Sequence, residues 1–248
     1  MRVIYILWLR QLKRYFRSRS RVLGSIAQPL LLLLSLGYGL GAVYKAAGQG
    51  NYFQYLVPGI MAQTVLFAAM FFGAMVIYDR QFGFLKETLV APVSRLKIMM
   101  GGVLGGATTA VLQGLVVFLI SLVLGFRPYN WAMVFISLVF MSLLAISIAS
   151  FSSGIGSFVE DMQGFQAINQ FIIFPLYFLS GALYPLNHVP SWLRIIAEVN
   201  PISYTVDALR WSLLGTSRFG ILKDSIALGI TLIVLVIFGV KSFSRIEA

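Results

Sequence analysis

Long runs without a single Asp, Glu, Lys or Arg dominate this chain, and they leave few ways to fold. Five are Val22–Tyr44, Leu56–Tyr78, Ile98–Phe126, Pro128–Val159 and Met162–Leu193; a sixth, Ser225–Val240, holds 16 residues. A helix of about 20 apolar residues crosses a hydrocarbon core roughly 30 Å thick. The first five runs are therefore long enough to span, and the sixth reaches across by recruiting Phe243 and a snorkelling Lys241. Lipid offers no water to backbone N–H and C=O groups, so such segments must satisfy them internally as helices. The expectation is an all-α integral membrane protein: one transmembrane domain over residues 1–248, with six spans at about 22–44, 56–78, 98–125, 132–158, 163–184 and 225–243. A charged share of 11% against about 25% in soluble domains agrees.

An even number of spans puts both termini on one side. With the N-terminus inside, the inner segments hold 13 Lys and Arg and the outer segments 6, so the positive-inside rule makes both termini cytoplasmic in a multi-pass plasma-membrane protein. The inner turn at Glu160-Asp161 carries no basic residue, but acidic residues count little in this rule. The net charge of +11 is spread between apolar runs, where anionic lipid headgroups are the fitting partner and nucleic acid is not.

The opening MRVIYILWLR stops being apolar at Arg10 and no small-residue cleavage site follows, so it reads as structure and not as a signal peptide. At 100° per residue, Arg10, Lys13, Arg14, Arg17 and Arg21 fall within about 100° of one another, with Trp8, Leu12, Tyr15 and Phe16 opposite. Residues 1–21 are therefore expected as an amphipathic helix in the headgroup plane. The third span opens with GGVLGGATTAV, in which Gly101/Gly105 and Gly102/Gly106 make two small-xxx-small pairs, and the fourth carries SIASFSSGIGS. Such residues mark seams where helices approach closely.

Catalytic chemistry is missing. One His (His188), no Cys and eight acidic residues form no metal-ligand spacing, and neither G-x-S-x-G nor H-E-x-x-H occurs. The adjacent pair Glu160-Asp161 reads as a helix cap and not as a catalytic dyad. Apart from the snorkelling Lys241 at the end of the sixth, the spans as drawn hold no Asp, Glu, Lys, Arg or His, which disfavours a proton- or ion-coupled carrier. The chain also lacks a G-x-x-x-x-G-K-[ST] phosphate loop, so any ATP hydrolysis must come from another subunit.

Two stretches complete the picture. One is FGFLKETLVAPVSRLK, Phe82–Lys97; the other is SGALYPLNHVPSWLRIIAEVNPISYTVDALR, Ser180–Arg210. Together with the six-span pattern they resemble the membrane subunits of type 2 ATP-binding-cassette (ABC) exporters, a family that includes drug-resistance, nodulation-factor and surface-polysaccharide exporters. The chain is most similar to the drug-resistance and nodulation group. The matching positions are Ile173, Leu176, Leu179, Ser180, Ala182, Pro190, Pro201-Ile202, Tyr204 and Arg210, with Val189 a small departure.

The resemblance covers nearly the whole chain and implies a membrane subunit of an ATP-driven exporter. It also implies a coupling helix in the cytoplasmic loop 79–97, at Gly83, Phe84, Leu85, Lys86, Glu87 and Thr88, docked on a separate ATPase subunit. ATP and Mg would bind that partner, and this chain would hold no cofactor, metal or catalytic residue of its own. A second permease copy is implied, most simply as a homodimer, with the path at its seam. Gln63 and Phe67 on the second span, and Asn169, Phe174, Tyr177 and Phe178 on the fifth, are the candidates to line it. The compact size and uncharged interior favour a hydrophobic or amphipathic small molecule. A lipid-linked polysaccharide or glycolipid is an alternative cargo, and a membrane enzyme or scaffold without an ATPase is the alternative of another class.

The Ser180–Arg210 stretch reads as a boundary followed by a cap. Pro175 is expected to kink the fifth span and Pro185 to end it. Within residues 185–224, SWLRIIAEVN and ISYTVDALRWSLLG suit two short helices, re-entrant or interfacial, with Trp192 at headgroup level, Arg194 paired with Glu198 at i,i+4, and Asp207 and Arg210 at i,i+3. Pro190, Trp192, Pro201, Tyr204 and Arg210 are the candidates for an outer gate.

Overall fold

The computed structural model describes residues 2–46, 50–90 and 92–245, and within these the side chains of Arg19, Ser20, Arg21, Leu23, Lys86, Leu89 and His188 lie outside the described set. Among the described residues the regular structure is helical throughout. Helix α1 covers Arg2–Arg17, α2 Arg19–Gly39, α3 Gly41–Ala46, α4 Tyr52–Gln81, α5 Phe84–Val90, α6 Arg95–Val123 and α7 Trp131–Phe158. Next come α8 Met162–Ile168, a π-helical turn Asn169–Ile173 and α9 Phe174–Phe178, then a 3-10 turn Leu186–His188, α10 Ser191–Val199, α11 Pro201–Leu214 and α12 Ile221–Phe243. Four helices, α4, α6, α7 and α12, are long and apolar enough to cross a membrane, and the apolar part of α2, Gly24–Gly39, is shorter.

Side-chain caps start several helices. Asn51 accepts the N–H groups of Phe53 and Gln54 ahead of α4, Asn130 that of Ala132 ahead of α7, and Asn200 that of Ile202 ahead of α11. Each meets donors that a helix start leaves without partners. Asp161 does the same for Gly164 at 2.6 Å, so one member of the acidic pair caps α8, while Glu160 lies 3.8 Å from Arg80.

Helix α4 is the post of the subunit. In its most apolar stretch 83% of residues are buried, against 22% in α12, and it packs against α2, α6, α7 and α11. The two glycine stripes of α6 serve different partners. Gly101 and Gly105 face Ile4, Leu7, Trp8 and Gln11 of α1, whereas Gly102 and Gly106 face Phe72 of α4. Each contact is closer than a β-carbon would permit, so α6 lies tightly against both neighbours.

On the other side, the Ser152 hydroxyl donates to Met70 O and accepts from Gly73 N–H. A β-carbon on Gly73 would stand 2.3 Å from Ser152 O, and one on Gly239 of α12 would stand 2.4 Å from Ser150 O. The serine- and glycine-rich run of α7 is thus a seam used twice.

Helix α1 does more than float at a headgroup layer. Trp8 Nε1 donates to Thr108 at 3.0 Å, and Arg10 and Arg14 both bridge Asp79 at the end of α4, at 3.2 and 2.8 Å. Its aromatic residues therefore divide: Trp8 and Tyr15 face the bundle, while Tyr5 and Phe16 stay exposed.

Two local readings change. The expected fifth span is interrupted: Pro175 offers no N–H, the turn before it widens so that Phe174 N–H reaches back to Asn169 O, and the helix closes at Phe178, with Leu179–Tyr184 continuing as turns. This is how a π-bulge accommodates a proline. No ion pair joins Arg194 to Glu198 among the described contacts; Arg194 instead donates to Asn187 O at 3.4 Å. Exposed i,i+4 pairs are weak enough for a nearby carbonyl to win.

Gly73→Ala should destabilise the purified protein by about 1–3 kcal/mol, because backbone on the facing helix has to move. Gly229→Ala, with nothing within 4 Å of the new methyl, should be neutral or slightly stabilising. Thermal unfolding in detergent compares the two.

Candidate functional site

Three regions hold the residues singled out from sequence. The first is α5. Gly83, at φ +78°, turns the chain sharply after α4, a conformation that favours glycine. Leu85 is anchored at 6% exposure, but Phe82, Phe84 and Val90 stand 69%, 50% and 80% exposed. Glu87 is exposed, Thr88 donates to Phe84 O at 2.9 Å, and the side chain of Lys86 lies outside the described residues. Among the described side chains, the result is a short helix anchored by Leu85 that presents aromatic and aliphatic side chains outward.

The second region is an aromatic ladder. The rings of Phe67 and Phe174 lie 4.6 Å apart, Phe67 and Tyr177 6.2 Å, Tyr177 and Phe178 5.5 Å, and Phe174 and Phe178 6.2 Å. The structure thus brings four of the six path candidates into one cluster joining α4 to α9. Tyr177 is wholly buried, whereas Phe178 is 46% exposed beside Phe171 at 80%. Of the remaining candidates, Asn169 keeps a buried Oδ1 without a hydrogen-bond partner, and Gln63, 3% exposed, likewise keeps a free Oε1. Gln63 and Phe67 open instead on a cavity of about 360 Å³ between α1, α2, α4 and α6.

The third region is the expected outer cap, and it is built around a buried cation. Arg210 is 9% exposed; its Nη2 donates to Gly181 O at 3.0 Å and Ala182 O at 2.9 Å, and its guanidinium lies 3.7 Å from the ring centre of Tyr55. Tyr55 also donates to Gly181 O at 3.1 Å and Tyr52 to Leu183 O at 2.8 Å. The non-helical turn after α9 is therefore fastened to α4 and α11 through its own carbonyls, which otherwise lack partners.

Asp207, three residues before Arg210, turns elsewhere: it accepts from the Ser217 hydroxyl and from the N–H groups of Arg218 and Phe219, at 2.8 to 3.0 Å. Pro190 and Pro201 start α10 and α11, Tyr204 donates to Glu198 O, and Trp192 stands 59% exposed.

Sequence reading passed over Tyr52, Tyr55 and Gly59. A β-carbon on Gly59 would stand 2.3 Å from Ala182 O, so that glycine admits the turn which Arg210 holds. The signal was present in YFQYLVPG, with tyrosines at i,i+3 and a glycine four residues on. Arg210→Met should cost about 3 kcal/mol or more, since two charge-assisted hydrogen bonds vanish and carbonyls are left buried. Arg210→Lys should recover only part of it, because an ammonium can neither fork nor stack in the same way. Chemical denaturation in detergent reads both.

Comparison with known proteins agrees with these features. Residues 2–214 match the family model described as ABC-2 type transporter. The putative transport permease ycf38 of Cyanophora paradoxa is 32% identical over 93% of this chain and 84% of its own length. The inner membrane transport permease YadH of Escherichia coli K12 is 26% identical over 97% and 93%, and nodulation protein J of Rhizobium leguminosarum bv. trifolii 27% over 85% and 78%. With a family match over most of its length and long apolar helices packed along glycine seams, the chain belongs to the ABC-2 type transporter family as a membrane-embedded transport permease.

Proposed function

We propose that this permease is the membrane-spanning half of an ATP-driven exporter, working with a separate ATPase subunit that binds ATP and Mg and docks on α5. The observation that carries this reading is the surface of α5. Phe82, Phe84 and Val90 are exposed just beyond the most buried of the four long apolar helices, where a free aqueous loop would bury or dispense with them. Aromatic anchors beside a charged residue, here Glu87, are the composition of a docking centre. Movement of α5 reaches the bundle through Leu85 and through the Arg10–Asp79–Arg14 bridge on the last turns of α4.

The reading includes cytoplasmic termini, six crossings and a dimer of permeases. The crossings beyond the four long helices are α2 and the interrupted α8–α9 segment. Along that segment Gln166, Gln170, Phe171, Pro175 and Phe178 are exposed. Two glutamines on such a face suit a partner or a passage better than lipid tails. A second copy set against it places the aromatic ladder at the seam, where a hydrophobic or amphipathic small molecule passes outward. Helices α10 and α11 cap the exit, with Arg210 fixing their position.

Phe84→Ala combined with Glu87→Arg should weaken binding of the ATPase about thirtyfold, as loss of a central anchor does, while leaving the thermal stability of the isolated permease unchanged. Quantitative co-purification from the native host checks the first effect and thermal unfolding the second. The intact complex in proteoliposomes should hydrolyse MgATP faster when a lipophilic cargo is added and should move that cargo across the bilayer. Recovery of fully functional permease with no nucleotide-hydrolysing subunit would sink the exporter reading.

A further inference from the structure

The cavity between α1, α2, α4 and α6 lies inside one subunit, with Phe67 the wall it shares with the aromatic ladder, and its lining is asymmetric. On the α4 wall it extends from Gln63 to Met75, which is about 18 Å at 1.5 Å per residue. Its volume of about 360 Å³ falls in the range of small-molecule sites, about 300–1,000 Å³. Phe67, Phe71, Phe72 and Met75 give it an apolar body.

The two ends differ in chemistry. At the deep end Gln63 is 3% exposed and its Oε1 has no hydrogen-bond partner. The neighbouring hydroxyls of Thr64 and Thr109 donate to Ile60 O and Gly106 O of their own helices, at 2.8 Å each. A buried acceptor left in this state is unfavourable, and a ligand N–H or O–H would relieve it. At the other end Arg14 lines the opening. Arg10 and Arg14 share one carboxylate, Asp79, so the trio carries one net positive charge, and among the described residues the lining of the cavity includes no Asp or Glu.

We propose that this cavity binds an anionic amphiphile that carries a hydrogen-bond donor on its apolar body: the acid group at Arg14, the chain along the Phe67–Met75 wall, and the donor on Gln63 Oε1. It is an entry site reached from the α1 side of the molecule, bordering the aromatic ladder at Phe67. Its place in transport rests on the exporter reading; the binding itself does not.

The test uses purified permease in nanodiscs of neutral lipid, without the ATPase, and the fluorescent probe 11-(dansylamino)undecanoic acid, which has an acid head, an alkyl body and a sulfonamide N–H. The acid should bind about tenfold more tightly than its methyl ester, the size of effect one charge-assisted contact supplies. Gln63→Met, close in shape, should weaken the acid about tenfold with no loss of thermal stability, since it replaces an unpartnered acceptor by an apolar group. Ala68→Trp should block binding by filling the cavity, and Ile230→Ala, on the exposed face of α12, should bind as the wild type does.

Equal affinity for acid and ester overturns the proposal. So does unchanged binding in both Gln63→Met and Ala68→Trp with the fold intact, and so does absence of saturable binding to the wild type. None of these results bears on whether the ATPase docks on α5, which the co-purification experiment decides separately.

Discussion

The close approach of α4 and α7 is the contact on which the rest of the subunit depends. Between helices in lipid there is no water to expel, so association rests on packing and on polar groups that find partners. Gly73, Ser152 and Gly156 meet both needs at one place: Gly156 packs on Gly73 O while the Ser152 hydroxyl serves Met70 O and Gly73 N–H. With α4 fixed to α7, its other sides are free to receive α6 through Phe72 and α2 through Gly37 and Phe53. Each added helix removes more of α4 from the surroundings, which is why the most apolar helix segments differ so widely in burial.

A second constraint governs the end of the bundle at which α9 closes. Once α9 closes at Phe178, the backbone runs through six turn residues in a place where unpaired carbonyls are costly. Arg210, Tyr52 and Tyr55 answer those carbonyls, and the positive φ of Gly181, +76°, lets the turn present them. The arginine is thereby a structural centre whose charge is spread over two carbonyls and an aromatic face. A turn held this way is tied to both α4 and α11.

Much of the fold was legible because the membrane imposes simple rules. Uncharged runs located α4, α6, α7 and α12, small residues at four-residue spacing located the seams of α6 and α7, and a basic stripe located α1. What stayed hidden depended on partners far away in sequence. Asp207 and Arg210 sit one helical turn apart and look like a pair; each makes stronger bonds to a different loop, Ser217–Phe219 for the aspartate and Gly181–Ala182 for the arginine. Gln63 reads as a neutral polar residue in an apolar run, and only the surrounding helices show that it lines a cavity with its carbonyl oxygen buried and without a partner.

The sequence by itself determined that this protein is helical and membrane-embedded, because those properties follow from charge-free length and helical period, both of them local. Tertiary structure alone decided that α4 is interior and α12 peripheral, that each stripe of α6 has its own partner, and that Arg210 serves carbonyls. Those outcomes turn on which backbone comes within 3 Å of which, and nothing in a one-dimensional pattern of apolar residues encodes that distance.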